Sequence, residues 1–217
     1  MHKKRLVIGI SGATGPIYGI RMLEILKNVD IETHLVISDA SETTIQLETD
    51  YQMDYVKGLA DYVYDINNVG GAIASGSFQT MGMVVAPCSI KTLSGIAHSY
   101  NENLLIRAAD VTLKEGRKLV LMVRETPFHK GHLRLMLQAA EMGAVIAPAI
   151  PSFYKKPKTI DDIINQNVGR ILDFFDIKID LFERWTDNDS QRASEIISFR
   201  GMKGEKESCS HNAKSEP

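Results

Sequence analysis

Four short stretches of this chain hold residue types that can do chemistry, and each follows an apolar run. The first is Gly9-Ile10-Ser11-Gly12-Ala13-Thr14-Gly15, continuing to Gly19. Bare glycine backbone lets N–H groups approach a phosphate, and a helix opening at Pro16 adds the positive end of its dipole. The spacing Gly-x-x-Gly-x-x-Gly is neither the dinucleotide fingerprint nor the Walker loop, and a tight strand-to-helix turn accounts for the same glycines. The second stretch is Ala86-Pro87-Cys88-Ser89-Ile90-Lys91-Thr92. Ser89 and Thr92 stand at a helix start, where hydroxyls and N–H groups suit a phosphate or a ring edge; plain N-capping by Ser89 is the competing reading. Cys88 has no acid–base partner nearby in sequence and reads as a small buried residue. The third is Arg124-Glu125-Thr126-Pro127. Its guanidinium fork suits a phosphate or a carbonyl edge, or a salt bridge to Glu125 or another neighbour. Lys130 adds a second cation one turn further on. The fourth is Pro148-Ala149-Ile150-Pro151-Ser152-Phe153-Tyr154, a stiff aromatic loop. Tyr154 can donate a hydrogen bond to a phosphate, and Arg170 on the next helix either joins it or lies on the surface.

Two carboxylates stand out beside these loops. Glu48 and Glu141 each end a helical stretch, as acid–base groups or as solvated helix residues. No metal is expected. None of the 6 histidines falls in a metal-binding spacing, and His129 and His132, at i and i+3, lack further ligands. Asp161-Asp162 is followed by two isoleucines, so it reads as a helix start rather than a diphosphate–Mg²⁺ cluster.

The elements that must position these loops alternate in type. Apolar runs at Arg5–Ile10, Glu32–Ile37, Met83–Ala86 (stopped by Pro87), Lys118–Val123 and Val145–Ala147 read as buried strands. Helical spacing covers Pro16–Val29, 41–48 (capped by Ser38 or Asp39), Ser89–Ala97, Leu104–Glu115, Lys130–Met142 and Thr159–Phe175. This order predicts an α/β fold, a parallel sheet with helices on both faces. Such sheets bind ligands beyond the carboxyl ends of their strands, where the four loops fall. The chain has 217 residues, 44% of them hydrophobic, with net charge −2. That suits a single domain over 1–200 and argues against nucleic acid as a partner. The 2 cysteines exclude a disulfide scaffold or a Cys-rich zinc site. No membrane span or signal peptide is evident, so a cytoplasmic protein is expected. From Gly201 the chain is polar and reads as a disordered tail.

Five motifs in order carry a resemblance: Gly9 to Gly15, Ala86 to Thr92, Lys114-Glu-Gly-Arg-Lys-Leu-Val120, Arg124 to Pro127, and Pro151 to Tyr154. Over about residues 4–186 the chain resembles the UbiX-like flavin prenyltransferases, the type formerly taken for small subunits of phenolic and hydroxyarylic acid decarboxylases. The resemblance implies a flavodoxin-like, Rossmann-type three-layer sandwich and a homo-oligomer, typically a dodecamer. It implies that reduced FMN and dimethylallyl monophosphate are substrates, joined at flavin N5 and C6. The prenylated FMN would then serve a partner UbiD-like hydroxyarylic acid decarboxylase. By this resemblance Gly12, Ala13, Thr14, Ser38, Ser89, Ile90, Lys91, Thr92 and Arg124 match flavin-binding positions. Tyr154 and Arg170 match prenyl-phosphate ligands, and Arg184 matches a closing arginine. Lys130, Glu48 and Glu141 match phosphate-binding and proton-handling positions. Thr14 stands where many members have serine, and keeps the hydroxyl.

The residues suit that chemistry. A phosphate leaving an allylic carbon needs positive charge where negative charge develops, and Lys130, Arg170, Tyr154 and Arg184 supply it without a metal. The proton lost from C6 can go to Glu141, Glu48 or the released phosphate. Two other readings share the fold. One is a flavin-dependent cysteine decarboxylase, whose ring-contact segment Asn101-Glu-Asn-Leu-Leu105 resembles, although the Pro-x-Met-Asn-x-x-Met stretch is missing. The other is a non-catalytic FMN carrier or a structural component of the decarboxylase.

Overall fold

The computed structural model describes residues 3–191. Six strands form one parallel sheet: β1 (Lys4–Ile10), β2 (Ile31–Ile37), β3 (Tyr62–Tyr64), β4 (Gly82–Cys88), β5 (Lys118–Val123) and β6 (Val145–Ile146), in the order β3-β2-β1-β4-β5-β6. Seven α-helices accompany them within residues 3–181: α1 (Ile17–Leu26), α2 (Asp39–Glu48), α3 (Met53–Gly58), α4 (Ile90–Ala97), α5 (Leu104–Lys114), α6 (Lys130–Glu141) and α7 (Ile160–Asp173), with one 3-10 turn at Ala72–Ala74. This is the doubly wound Rossmann order, and without the three-residue β3 it is the flavodoxin order. A first compact unit ends at Leu181 and a second begins at Phe182. The polar stretch 201–217 lies outside the described residues.

Strand alternation builds two cores. Leu6, Ile8, Ile10, Val84, Ala86, Val120 and Met122 point to one face and pack against α1 and α7. Val7, Met83, Val85, Leu119, Leu121 and Val123 point to the other, beneath α4 and α5. Because both faces are covered, these strands read as unbroken apolar runs. Strand order reverses between β1 and β4, which is where an open parallel sheet leaves a crevice. No helix among the described residues is long and apolar enough to cross a membrane.

Three details differ from expectation. β4 is not stopped by Pro87 but runs to Cys88, with its pairing to β5 shifting between Val85 and Cys88, where the ring offers no N–H. β3 has no counterpart among the expected strands. It is an edge strand whose Tyr62 and Val63 are exposed, so it carries no apolar run. α3 is a single short helix of six residues that buries only Val56, too little for a periodic signal.

The β1–β2–β3 edge holds a buried polar cluster. Arg5 Nε donates to Glu32 Oε1 at 2.7 Å. His34, 2% exposed, lies 2.9 Å from the same oxygen through Nε2 and 2.9 Å from the Tyr64 hydroxyl through Nδ1. A carboxylate only accepts, so Nε2 carries the proton and Nδ1 accepts from Tyr64. The ring stacks on Tyr62 with centroids 4.9 Å apart. Burial pushes His34 below its ordinary value, and the hydrogen bond and charge of Glu32 offset this only in part. As pH falls, the unfolded chain therefore takes up this proton before the folded one. The contribution to stability is complete above the ordinary value of about 6.5 and is lost below it, by at most ~1.4 kcal/mol per pH unit. Unfolding midpoints in urea should thus fall more steeply between pH 6.5 and 5 for the wild type than for His34→Phe, which starts lower. Parallel curves would remove His34 from the acid response.

Candidate active site

The crevice at the β1/β4 reversal is a cleft of about 620 Å³. One buried hydroxyl ties its two sides together. Ser11, fully buried, donates through Oγ to Pro87 O at 2.9 Å and accepts from the Ser89 N–H at 2.8 Å. The Ser11 N–H also reaches Pro87 O, at 3.2 Å. The loop after β1 is thereby pinned to the loop after β4. It turns into α1 at Gly15, whose φ of +89° only glycine adopts readily. Glu48, at the end of α2, accepts the Gly15 N–H at 2.8 Å and closes the loop. Gly12 leaves its backbone bare: a Cβ there would sit 2.4 Å from the Ala40 Cβ.

Two helix starts face the same cleft. Ser38 caps α2, accepting from the Ser41 N–H at 3.3 Å, while its own N–H donates to Ile10 O at 3.0 Å. Ser89 caps α4, accepting from the Thr92 N–H at 3.3 Å and donating to Thr92 Oγ1 at 3.1 Å. Capping and ligand binding are therefore not alternatives, since the capped ends are what line the cleft. Arg124 follows β5, and its N–H is held by Cys88 O at 3.0 Å. Its exposed side chain makes no ion pair with Glu125, which instead accepts the Thr126 N–H at 3.0 Å. Burial pushes the Cys88 thiol up, so it stays protonated and inert.

The cleft collects Gly12, Ala13, Ser38, Ser89, Ile90, Lys91, Thr92 and Arg124. Of the residues matched to flavin binding, only Thr14 lies outside it. Lys91 spans to Glu102 at 3.3 Å, both of them on the cleft wall. Lys130, first residue of α6, and Tyr154, in the loop after β6, stand at the same edge of the sheet but do not line the cleft. Arg170 and Glu141 are carried to the opposite edge. Arg170 lies ten residues into α7, about 15 Å along the axis at ~1.5 Å per residue, and pairs with Asp173 at 3.1 Å. The end of that helix meets the strand beginnings, with Lys118 donating to Phe174 O. Glu141 ends α6 just before β6 begins. Arg184 belongs to the second unit, where it lies over the Phe182 ring, 4.9 Å from its centroid.

Sequence reasoning misses some residues of this site. Ser11 sits inside the glycine motif, but its role depends on Pro87, 76 positions away. Glu125 lines the cleft, yet beside an arginine it reads as an ion-pair partner. Asn103, by contrast, lies in the Asn101–Leu105 segment already noted; it caps α5, accepting from the Ile106 N–H at 3.1 Å, and faces the cleft. Among the described residues no group of three or more His, Cys, Asp or Glu could hold a metal ion.

Comparison with known proteins agrees with this geometry. Residues 1–174 match the Flavoprotein family. The flavin prenyltransferase UbiX of Thauera aromatica is 63% identical over 187 residues, covering 86% of this chain and 96% of the relative. A crystal structure of AnUbiX in complex with FMN and dimethylallyl pyrophosphate gives a TM-score of 0.84 at 49% identity, covering 85% of this chain and 98% of that one. That of a dodecameric FMN-dependent UbiX-like decarboxylase from Escherichia coli O157:H7 gives 0.82 at 46%, covering 84% and 99%.

The Ser11 bridge can be tested without any ligand. Ser11→Ala leaves the half-buried Ser89 N–H without its acceptor, which costs about 1 kcal/mol. Chemical unfolding should show that loss. An unchanged midpoint would mean that the bridge does not hold the two loops together.

Proposed function

The chain belongs to the UbiX-like flavin prenyltransferases of the flavoprotein family, and from that premise we propose how its residues divide the work. The protein is a flavin prenyltransferase: it joins a dimethylallyl group to N5 and C6 of reduced FMN. The observation that carries the proposal is the gathering of all but one of the flavin-matched residues in one cleft. Its volume of about 620 Å³ falls within the ~300–1,000 Å³ of small-molecule sites. Bare backbone at Gly12 and the capped starts of α2 and α4 suit a flavin phosphate and ring edge. Gly12, Ala13, Thr14, Ser38 and Ser89 to Thr92 would hold the flavin, and Arg124 its carbonyl edge.

The prenyl donor is taken to be dimethylallyl monophosphate. Lys130, Tyr154 and Arg170, joined by Arg184, stabilise the charge that develops on the departing phosphate. The dodecameric relative supports a homo-oligomer, here read as a dodecamer. In it, Arg170 reaches the cleft of a neighbouring copy, since its own chain holds it at the far edge. A carboxylate then takes the C6 proton. Glu125 is on the cleft wall and Glu48 holds the loop beside it, whereas Glu141 can act only from another copy. The prenylated flavin passes to a UbiD-like hydroxyarylic acid decarboxylase, in the cytoplasm.

The test is anaerobic. Protein, reduced FMN and dimethylallyl monophosphate are mixed, and the released flavin is weighed by mass spectrometry. A flavin heavier by one five-carbon unit is expected; unmodified FMN from flavin-loaded protein would contradict the assignment. Among the variants Glu125→Gln, Glu48→Gln and Glu141→Gln, the one lacking the base should still bind FMN but form product slower by about 10²–10⁴-fold. Wild-type rates in all three would leave the released phosphate as the base.

A further inference from the structure

Between α1 and α7, one guanidinium joins segments that the proposed reaction needs in register. Arg21 lies in α1, six residues past the turn at Gly15. Its Nε donates to Glu24 Oε2 at 3.0 Å, Nη1 to Asn165 Oδ1 at 2.5 Å and Nη2 to Asp161 Oδ1 at 2.8 Å. Asp161 and Asn165 lie in the first two turns of α7. The other oxygen of Glu24 accepts from the Tyr51 hydroxyl at 2.9 Å and the Tyr55 hydroxyl at 3.4 Å, and Tyr51 follows Glu48 by three residues. The Arg21 and Glu24 side chains are only 19% and 24% exposed. Each fork of the guanidinium thus has its own acceptor, an arrangement a lysine ammonium cannot reproduce in a plane.

The three segments carry different parts of the site. α1 continues the flavin loop. The 48–55 segment begins at the carboxylate that closes that loop. α7 continues the Tyr154 loop, and the join between them is stiff: Asp162 accepts the Lys158 and Thr159 N–H groups at 2.8 and 2.9 Å. Pro157 limits bending between Tyr154 and the helix start. A displacement of the α7 start is therefore passed on to Tyr154.

We infer that Arg21 is a positioning residue for the prenyl-donor half of the reaction, setting the Tyr154 loop against the flavin loop through Asp161 and Asn165. The inference rests on the proposed role of Tyr154 in holding the donor phosphate. Small misplacements of a binding group cost large factors in rate. Breaking the link should therefore lower kcat/KM for dimethylallyl monophosphate while leaving flavin binding, made by other residues, nearly unchanged.

The double variant Asp161→Ala/Asn165→Ala tests this without emptying α1. The Asp161 side chain is 66% exposed, and pairs of that kind add little to stability, so the fold should persist. We expect kcat/KM for dimethylallyl monophosphate to fall roughly tenfold, with FMN Kd within about twofold of wild type. Arg21→Lys should fall between the wild type and Arg21→Met. An unchanged kcat/KM in the double variant would overturn the inference, and so would an FMN Kd that rises as kcat/KM falls, which marks general loosening. Failure of the underlying reading looks different: the wild-type protein itself would then form no prenylated flavin.

Discussion

The buried Ser11 hydroxyl is the contact on which the site depends. β1 and β4 are paired neighbours, but their connections leave in opposite directions at the reversal, and the two loops would splay without a link. Ser11 supplies one by donating to Pro87 and accepting from Ser89. The hydroxyl is fully buried and its bond to Pro87 lies out of water, where an unmade hydrogen bond is costly. With the loops pinned, two further consequences follow. The Gly12 backbone is held bare against Ala40, and the start of α4 is aimed into the same space. A flavin site then needs little more than hydroxyls at capped helix ends and a cation at the end of β5.

Sheet topology decides what a single chain cannot do. α6 and α7 run back toward the opposite edge, so only their first turns stay near the cleft, whereas α2 stays beside it and its last residue, Glu48, still holds Gly15. Lys130 opens α6 and Tyr154 precedes α7, and both stay near. Arg170 and Glu141 lie near the ends of those helices and are carried away from the cleft. On the proposed assignment, the flavin half of the site lies within one chain and the donor half asks for a neighbour. Exposed Leu133 and Leu137 on α6, with Ile150 and Phe153 on the loop before α7, agree with such assembly.

Much of this is readable from the residues alone, and the exceptions have physical causes. Central strands announce themselves because both their faces are covered. β3 does not, since an edge strand with exposed Tyr62 and Val63 has no apolar run to read. Loop motifs locate the flavin cleft because ligand loops follow strands in this architecture. Residue type alone does not say which end of a helix meets the ligand, so Glu141 stands out in the sequence and Glu125 does not. Long-range partners such as Pro87 for Ser11, or Asp161 for Arg21, depend on the fold and leave no mark in local sequence.

The central claim is that the flavin cleft comes from one copy and the donor arginine from another. Co-expressing two differently tagged inactive variants, Gly12→Val and Arg170→Ala, and isolating the mixed oligomers tests it most directly. Each productive cleft needs one copy of each kind, so roughly a quarter of wild-type prenylated-flavin formation should return. Mixed oligomers that assemble normally yet stay inactive would contradict the account, because both residues would then be required in the same chain.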